Sequence, residues 1–310
     1  MNNNILHEPV LLAEILDLIP KNATIIVDAT CGTGGHSVAI ATKLKSQTSP
    51  EHGIPPGREN LKIIVIDYDK KSIKKANEIL AKFHNIELAC DNFKNIRKIL
   101  KGVPRLCSGQ PAVDFILADL GFSSWQLGDN RGLAFSQNQP LDMRLDTRQK
   151  TTAADLVNHL DENELADLIY QNSDEQFSRV IARAICHARP IFTTEKLAKI
   201  ISQAVGSHYR KKINPATLSF QALRIAVNQE KENLAQFLRF APECLAAGGI
   251  LAIISFHSQE ARAVKTRFKR LAKTKRFEIL TKQPITPGIS EIRSNPRSRS
   301  ARLIALKKIA

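Results

Sequence analysis

The sequence predicts an α/β protein in which a doubly wound parallel sheet is interrupted by an inserted helical subdomain. Almost continuously apolar runs recur along the chain, helical patterns separate them, and one long stretch shows no strand pattern. Apolar runs without alternation are typical of parallel strands buried on both faces, and their alternation with helices indicates βαβ units. We therefore expect residues 1–126 and 216–310 to form the sheet domain and residues 127–215 to form the insert.

The first half of the sheet domain is predicted from four apolar runs and the helical patterns between them. Strands are expected at 24–29, 61–67, 86–90 and 113–118, with helices at 34–44 and 70–83. Residues 46–60 contain three prolines and two glycines, which predicts a surface loop longer than is usual for such a connection.

Helices dominate the predicted insert, and the sheet pattern then resumes. Within the insert we expect helices at 153–170, 177–188 and 194–205, the last one capped by Thr193 or Thr194. The resumed pattern predicts a long amphipathic helix at 220–245, ended by Gly248 and Gly249, and then a strand at 250–256. A basic helix at 260–273 and closing strands at 277–281 and 302–306 complete the prediction.

The composition favours a chain with a packed core and free thiols. It is 43% hydrophobic, and no apolar run reaches the roughly 18 residues that would cross a membrane. The five cysteines form no Cys-x-x-Cys pair and show no zinc-like spacing with histidines. We therefore expect a cytoplasmic protein that binds no metal through them.

The net charge of +15 is concentrated near the end of the chain. Residues 262–310 hold fifteen Lys or Arg and two Glu, a net charge of +13, which leaves +2 for the first 261 residues. Such a density favours a polyanionic partner such as nucleic acid; the alternative is a solvated basic helix. Residues 295–301 read Asn-Pro-Arg-Ser-Arg-Ser-Ala, a composition suited to phosphate contacts.

A glycine-rich loop follows the first predicted strand and reads Asp28-Ala29-Thr30-Cys31-Gly32-Thr33-Gly34-Gly35-His36. The start of the next helix offers N–H groups to a nucleotide. Asp67 ends the second strand 35 residues after Gly32, and removing the 15-residue loop 46–60 restores a spacing of 20, at which an acid binds ribose hydroxyls. The loop lacks Gly-Lys-Thr and Gly-Lys-Ser, so it predicts a nucleoside-containing cofactor rather than a phosphate-cradling P-loop.

A second loop, Asp119-Leu120-Gly121-Phe122-Ser123-Ser124-Trp125-Gln126, follows the fourth strand and places a carboxylate at the carboxyl edge of the sheet, where α/β folds bind ligands.

Three further features allow two interpretations each. Asp28 orients the cationic end of a cofactor or caps a turn, and His257 is a general base or a packing residue. The Arg-Asp alternation of 131–146 holds substrate or forms internal ion pairs.

Motifs spread along nearly the whole chain are together specific to one family. The chain resembles the bacterial 16S ribosomal RNA cytosine-N4 methyltransferases, also called H-type small-subunit methyltransferases. The matching segments are His7-Glu8-Pro9-Val10-Leu11-Leu12, Gly32-Thr33-Gly34-Gly35-His36-Ser37, Asp67-Tyr68-Asp69, Asp119-Leu120-Gly121-Phe122-Ser123-Ser124, Pro140-Leu141-Asp142-Met143-Arg144, Phe220-Gln221-Ala222-Leu223-Arg224-Ile225, Ser255-Phe256-His257-Ser258 and Asn295-Pro296-Arg297-Ser298-Arg299-Ser300-Ala301.

The resemblance implies a Rossmann-like methyltransferase sheet, the cofactor S-adenosylmethionine and the substrate 16S rRNA, within the 30S subunit or a late precursor. It also implies the residues of the cofactor site. Gly34, Gly35 and His36 would hold the methionine part, and Asp67 would bind the ribose. Phe93 would lie against the adenine, and Asp119 and Gln126 would complete the site.

We further expect Asp119 to be the catalytic residue, because a carboxylate there would accept a hydrogen bond from the cytosine N4 amine and stabilise the charge developing on it. An amino-methyltransferase that acts on DNA is a close alternative, which the substrate distinguishes. Two rival functions of other classes use the same fold. One is an oxidoreductase that binds NAD, and the other is a non-catalytic ribosome-assembly factor. Binding of labelled S-adenosylmethionine rather than NAD would exclude the oxidoreductase. Absence of any turnover would favour the assembly factor.

Overall fold

A computed structural model describes residues 9–46, 61–103, 112–135, 137–206 and 213–309. His7, Glu8, Cys107 and the predicted loop 46–60 beyond Ser46 lie outside these residues. The chain divides into two compact units, one of Met1–Gly121 and Glu232–Ala310 and the other of Phe122–Lys231. The second unit includes the span 127–215 and extends past both of its ends. Among the described helices, none has the length and apolar character needed to span a membrane.

The first unit contains a seven-stranded sheet in the order β3-β2-β1-β4-β5-β7-β6. Its strands are β1 (Ile25–Asp28), β2 (Lys62–Asp67), β3 (Ile86–Cys90), β4 (Val113–Asp119), β5 (Leu245–Ser255), β6 (Phe277–Ile279) and β7 (Arg302–Lys308). Neighbouring strands from β3 to β5 pair in parallel, whereas β7 is antiparallel to both β5 and β6. The predicted doubly wound sheet is confirmed, with one antiparallel strand added near an edge.

The strand order reverses direction between β1 and β4. Successive strands run outward from β1 to β3 on one side and from β4 to β5 on the other. This reversal opens a crevice at the carboxyl ends of β1 and β4, where ligands of such sheets bind. Asp28 ends β1 and Asp119 ends β4, so the fold brings two of the predicted acids to this crevice.

The structure describes thirteen α-helices in chain order. They are α1 (Leu12–Leu18), α2 (Gly35–Ser46), α3 (Lys70–Leu80), α4 (Ile96–Ile99), α5 (Ser124–Leu127), α6 (Ala153–His159), α7 (Glu162–Ser173), α8 (Ser178–His187), α9 (Thr194–Val205), α10 (Ala216–Val227), α11 (Glu230–Phe240), α12 (Ser258–Ala272) and α13 (Ile289–Ser294). Thr193 caps α9, as one of the two predicted alternatives has it.

The sheet of the first unit is buried on both faces. Ile64 and Ile66 of β2 belong to one hydrophobic cluster, and Ile63 and Val65 belong to another. Successive side chains of a strand point to opposite faces, which explains why β2 is apolar without alternation. Helix α12 buries one side only: it places Val264 against the first cluster and leaves its other side exposed.

The second unit has a core of its own, formed by α6 to α10 and the segment before them. A tight approach in that segment requires glycine at residue 132. Gly132 has a φ of +70°, and a Cβ there would lie 2.3 Å from the carbonyl oxygen of Pro140. The side chain of Asn228 holds the same segment, because it accepts a hydrogen bond from the Leu145 amide and donates one to the Met143 carbonyl, both 2.8 Å.

Two of the predicted helices are each divided in two by the structure. The span 153–170 breaks at Asp161, whose side chain begins α7 in a capping box with Glu164. The span 220–245 breaks after Asn228, where Gln229 adopts a φ of +50°. The helical periodicity continues through both breaks, so it did not reveal either of them.

The predicted end of the long helix at Gly248 and Gly249 is also wrong. Both glycines lie inside β5, which begins at Leu245 rather than at residue 250. The register between β4 and β5 shifts at this point. A Cβ on Gly249 would lie 2.7 Å from the Val113 carbonyl oxygen, so the glycine permits a close approach of two strands.

Candidate active site

The glycine loop after β1 is fastened to both neighbouring strands. The Ala29 amide donates to the Leu117 carbonyl of β4 at 2.8 Å, and the Cys31 amide donates to the Ile66 carbonyl of β2 at 2.9 Å. Gly32 and Gly34 have φ values of +54° and +93°, a region that glycine adopts without strain. The loop therefore has a fixed shape that leads directly into the first turn of α2.

Asp28 is buried beneath this loop. Its Oδ2 accepts a 2.5 Å hydrogen bond from the Ser37 hydroxyl, and its Oδ1 accepts a 3.4 Å bond from the Thr30 amide. Burial raises the pKa of this carboxyl to about 6, although both hydrogen bonds oppose the rise. These contacts favour the interpretation of Asp28 as the residue that stabilises the turn.

Asp67 connects the loop to β2 at the same sheet edge. Its Oδ2 accepts a 2.9 Å hydrogen bond from the Gly32 amide, and its Oδ1 accepts a 2.8 Å bond from the Asp69 amide. Burial raises the pKa of Asp67 to about 7, and the two amide bonds lower it only partly. A carboxylate oriented in this way still has lone pairs available for hydroxyl groups.

Asp119 occupies the carboxyl end of β4 beside the glycine loop. Its amide donates a 2.7 Å hydrogen bond to the Thr30 hydroxyl. Its Oδ1 is buried and has no hydrogen-bond partner among the described residues. Burial raises the pKa of Asp119 well above its usual value, and the charges of Asp28 and Glu260 raise it further. A buried acceptor without a partner is costly, and this one is suited to receive a donor from a ligand.

His36 lies between the N-terminal segment and Asp119. Its Nε2 is 3.0 Å from the Val10 carbonyl oxygen, and its Nδ1 is 3.7 Å from Oδ2 of Asp119. A carbonyl oxygen only accepts hydrogen bonds, so Nε2 carries the proton of this contact. The ring is thus oriented with Nδ1 toward the carboxylate.

Phe93 follows β3, whose last residue, Cys90, is in register with Asp67. Its ring is buried and meets the Phe237 ring edge-on, with centroids 5.1 Å apart. The Asn92 side chain accepts a hydrogen bond from the Lys94 amide and shapes the turn that carries Phe93. The fold therefore brings Phe93 to the carboxyl edge that also holds Asp67.

Gln126 belongs to the second unit, where it takes part in a capping box. Its side-chain Oε1 accepts a 2.8 Å hydrogen bond from the Ser123 main-chain amide. The main-chain amide of Gln126 in turn donates to the Ser123 hydroxyl at the start of α5. The pattern Ser-x-x-Gln is a sequence signal for such a box. A role in the cofactor site remains a prediction for Gln126.

His257 and Glu260 form a capping box at the start of α12, which follows β5. The Nδ1 of His257 accepts from the Glu260 amide at 3.4 Å and caps α12, while its Nε2 is 3.1 Å from Oε1 of Glu260. Oε2 of Glu260 accepts a 3.0 Å bond from the Phe256 amide. These contacts favour a structural role for His257. Sequence reasoning did not assign a role to Glu260, whose negative charge raises the pKa of Asp119.

The alternating arginines and aspartates of the second unit pair with one another. Arg144 makes a two-pronged contact with Asp142, with N–O distances of 2.7 and 2.8 Å. Arg131 bonds to Asp129 at 2.6 Å and to the Leu145 carbonyl at 3.0 Å. The internal ion pairs expected from the sequence as one of two alternatives are thus present.

Comparison with known proteins yields one family and many full-length relatives. The model of the MraW methylase family matches residues 4–309. The chain is 41% identical over 304 residues to a Ribosomal RNA small subunit methyltransferase H of Solibacter usitatus, covering 97% of this chain and 99% of that protein. It is 42% identical over 303 residues to the protein of that name from Cyanothece sp., covering 96% and 93% of the two chains. This protein therefore belongs to the MraW methylase family.

Proposed function

We propose that the protein transfers a methyl group from S-adenosylmethionine to the N4 amine of a cytosine in the decoding region of 16S rRNA. The buried Oδ1 of Asp119, with no partner among the described residues, is the observation that carries the proposal. Membership of the MraW methylase family supports methyl transfer as the reaction. The names of the relatives, small-subunit ribosomal RNA methyltransferases, support rRNA as the substrate.

The charges at the sheet edge suit a cationic cofactor. Asp28, Asp67 and Asp119 all have pKa values raised by burial, and like charges add to this at Asp67 and Asp119. A nearby cation would favour their ionised forms, whereas the pyrophosphate of NAD would add further like charge. When bound, S-adenosylmethionine supplies a methyl group already activated on a positively charged sulfonium. The residues present therefore fit this group better than a dinucleotide.

The remaining assignments at the cofactor site are part of the same proposal. Gly34 and Gly35 would present main-chain N–H groups of the loop and the first turn of α2 to the methionine part. His36 would contribute its main chain, since its ring already contacts Val10 and Asp119. Asp67 would accept from the ribose hydroxyls, and Phe93 would bound the adenine. Gln126 would complete the site.

Asp119 would act on the amine rather than on the cofactor. The cytosine N4 lone pair is delocalised into the ring, so the amine is a weak nucleophile. Oδ1 of Asp119 would accept a hydrogen bond from N4, orient it and stabilise the positive charge that develops. The raised pKa makes the ionised carboxylate a stronger base for the N4 proton. The target base must leave its stack to reach such an edge.

Mass spectrometry after methyl transfer tests this proposal. Unmodified 30S subunits, and separately 16S rRNA, are incubated with labelled S-adenosylmethionine and either the wild-type protein or Asp119→Asn. We expect N4-methylcytidine at one decoding-region site with the wild type and none with the variant. Transfer to another position would refute the assignment of the substrate. If no methyl group is transferred to either 30S subunits or free 16S rRNA, the proposed function is refuted, and with it the proposal that the substrate is the 30S subunit or a precursor.

A further inference from the structure

Helix α12 carries a line of cations on its solvent side. Four exposed residues, called the α12 stripe below, are Arg262, Lys265, Lys269 and Lys273. At 3.6 residues per turn they fall within about 80° of the helix surface and extend over about 17 Å along the axis. The buried residues of the helix, such as Phe268, lie on the other side.

The segment that carries the α12 stripe contains no acidic residue. Residues 262–276 contain eight Lys or Arg and no Asp or Glu. In the described part of the chain, no Lys or Arg from residue 265 onward forms an ion pair. An exposed cation elsewhere in the same unit does so: Arg97 lies 3.8 Å from Glu243. Solvated helix faces usually mix both signs, so a one-sign line is more typical of a binding surface.

The α12 stripe begins at the edge that holds Asp119. The Leu120 amide bonds to the Ile254 carbonyl near the end of β5, and α12 starts three residues after β5 ends. The helix then connects β5 to β6, which run in the same direction, so it passes from the carboxyl edge of the sheet toward the opposite edge. Arg262 is near its start and Lys273 is at its end.

Antiparallel β7 brings more cations to the same edge. Leu303 is in register with Ile254, which is in register with Asp119. With strands about 4.8 Å apart, Leu303 lies about 10 Å from Asp119. The preceding turn exposes Arg297 and Arg299. Exposed cations therefore occur in the turn before β7, near the carboxyl edge, as well as along α12.

We propose that the α12 stripe is a docking surface for the phosphate backbone of the RNA strand next to the target nucleotide. This inference rests on the proposed function, since that function supplies a polyanion as substrate. The stripe makes contacts without base specificity. It holds the strand while the target base enters the site, and its contribution to binding decreases as salt increases.

Charge reversal with a matched control tests the surface. Lys265→Glu/Lys269→Glu is compared with Lys74→Glu/Lys98→Glu, two exposed lysines of the same unit without ion pairs in the described structure. Methyl transfer to 16S rRNA is measured at several salt concentrations, together with Kd for S-adenosylmethionine and Tm. We expect KM for RNA to rise about tenfold in the stripe variant alone. The slope of log KM against log salt concentration should decrease by about 1.4 in that variant, for two lost phosphate contacts. Cofactor Kd stays unchanged.

Two results would overturn the docking surface: an unchanged KM in the stripe variant, or an equal rise in both variants. If the Tm of the stripe variant falls, Lys265→Gln/Lys269→Gln replaces it. Direct binding of the same 16S rRNA by fluorescence anisotropy separates this inference from the proposed function. Wild-type binding that only the stripe variant loses supports the surface even if no methyl is transferred. Equal binding by all variants contradicts it.

Discussion

The Gly32 amide donates a 2.9 Å hydrogen bond to Oδ2 of Asp67, although the two residues are 35 positions apart in the chain. The bond ties the shape of the glycine loop to the carboxyl end of the neighbouring strand. It also takes one lone pair of the carboxylate that we propose for the ribose. Loop geometry and cofactor binding are therefore expected to change together when Asp67 is replaced.

Asp67→Asn should weaken cofactor binding. An amide has one carbonyl oxygen, so it cannot accept from the Gly32 and Asp69 amides through two separate oxygens. The loss of a charged acceptor corresponds to about 1.5–3 kcal/mol, or about 10- to 100-fold in Kd for S-adenosylmethionine by calorimetry.

Asp114→Asn is the control for that measurement. Asp114 also accepts main-chain hydrogen bonds, from Thr24 and Ile25, but near the start of β4. It should lower Tm and leave the cofactor Kd close to that of the wild type. A similar loss of affinity in both variants would mean that Asp67 acts only through stability.

The stability of the cofactor-free protein should fall as pH rises from 5 to 8. The folded pKa of Asp67 is raised from 3.8 to about 7, and that of Asp28 is raised to about 6. The folded state therefore binds these protons more tightly than the unfolded state does. Their contribution to the free energy of unfolding is complete below about pH 4 and is lost as the pH rises through the folded pKa. For Asp67 the loss is about 3 kcal/mol over this range.

Urea unfolding at pH 5 and pH 8 measures this effect. Asp67→Asn has no carboxyl at this position, so its free energy of unfolding should change less between the two pH values. An identical change in wild type and variant would show that Asp67 is not the titrating group.

Asp119→Asn should remove catalysis but not the fold. The hydrogen bond from the Asp119 amide to Thr30 is made by the main chain and persists in the variant. We expect kcat to fall about 1,000-fold, in the range of a lost acid–base group, with Tm equal to or above that of the wild type at pH 8. In the wild type, activity should increase with pH as the carboxyl ionises. Retention of more than a tenth of wild-type kcat would exclude the proposed role.

Gly132→Ala should destabilise the second unit. The new Cβ would meet the Pro140 carbonyl at 2.3 Å, and alanine disfavours a φ of +70°. Together these effects cost about 3 kcal/mol or more, measurable as a lower Tm. Gly102→Ala, where a Cβ meets nothing within 4 Å, should have little effect. Equal Tm values for the two variants would contradict the steric explanation.

Local patterns were sufficient for the four strands of the first half of the sheet and for the acids at the ends of β1, β2 and β4. The run 63–66 and the acid after it predicted β2 and Asp67, because burial on both faces requires an unbroken apolar sequence. The capping boxes of Thr152 and Asp161 are also local, and the Thr-x-x-Asp and Asp-x-x-Glu patterns would have located the start of α6 and of α7.

The break between α10 and α11 had no such local signal. Asn228 ends α10 while its side chain bonds to Met143 and Leu145, more than 80 residues earlier in the chain. Helical periodicity continues through this position. The Asn228 side-chain amide also donates to the Arg224 carbonyl one turn earlier, but its bonds with Met143 and Leu145 depend on the distant segment. A pattern that reflects neighbours within a few residues contains no information about such a contact.

The sequence by itself determined the sheet, its interruption and the arrival of Asp28, Asp67 and Asp119 at one edge, because the carboxyl ends of parallel strands meet there. Tertiary structure alone decided that Oδ1 of Asp119 is buried without a partner in the described residues, and that Glu260 adds its charge nearby. Strand patterns depend on local burial, whereas the pKa of a carboxyl depends on charges and solvent exclusion contributed by segments far apart in the chain.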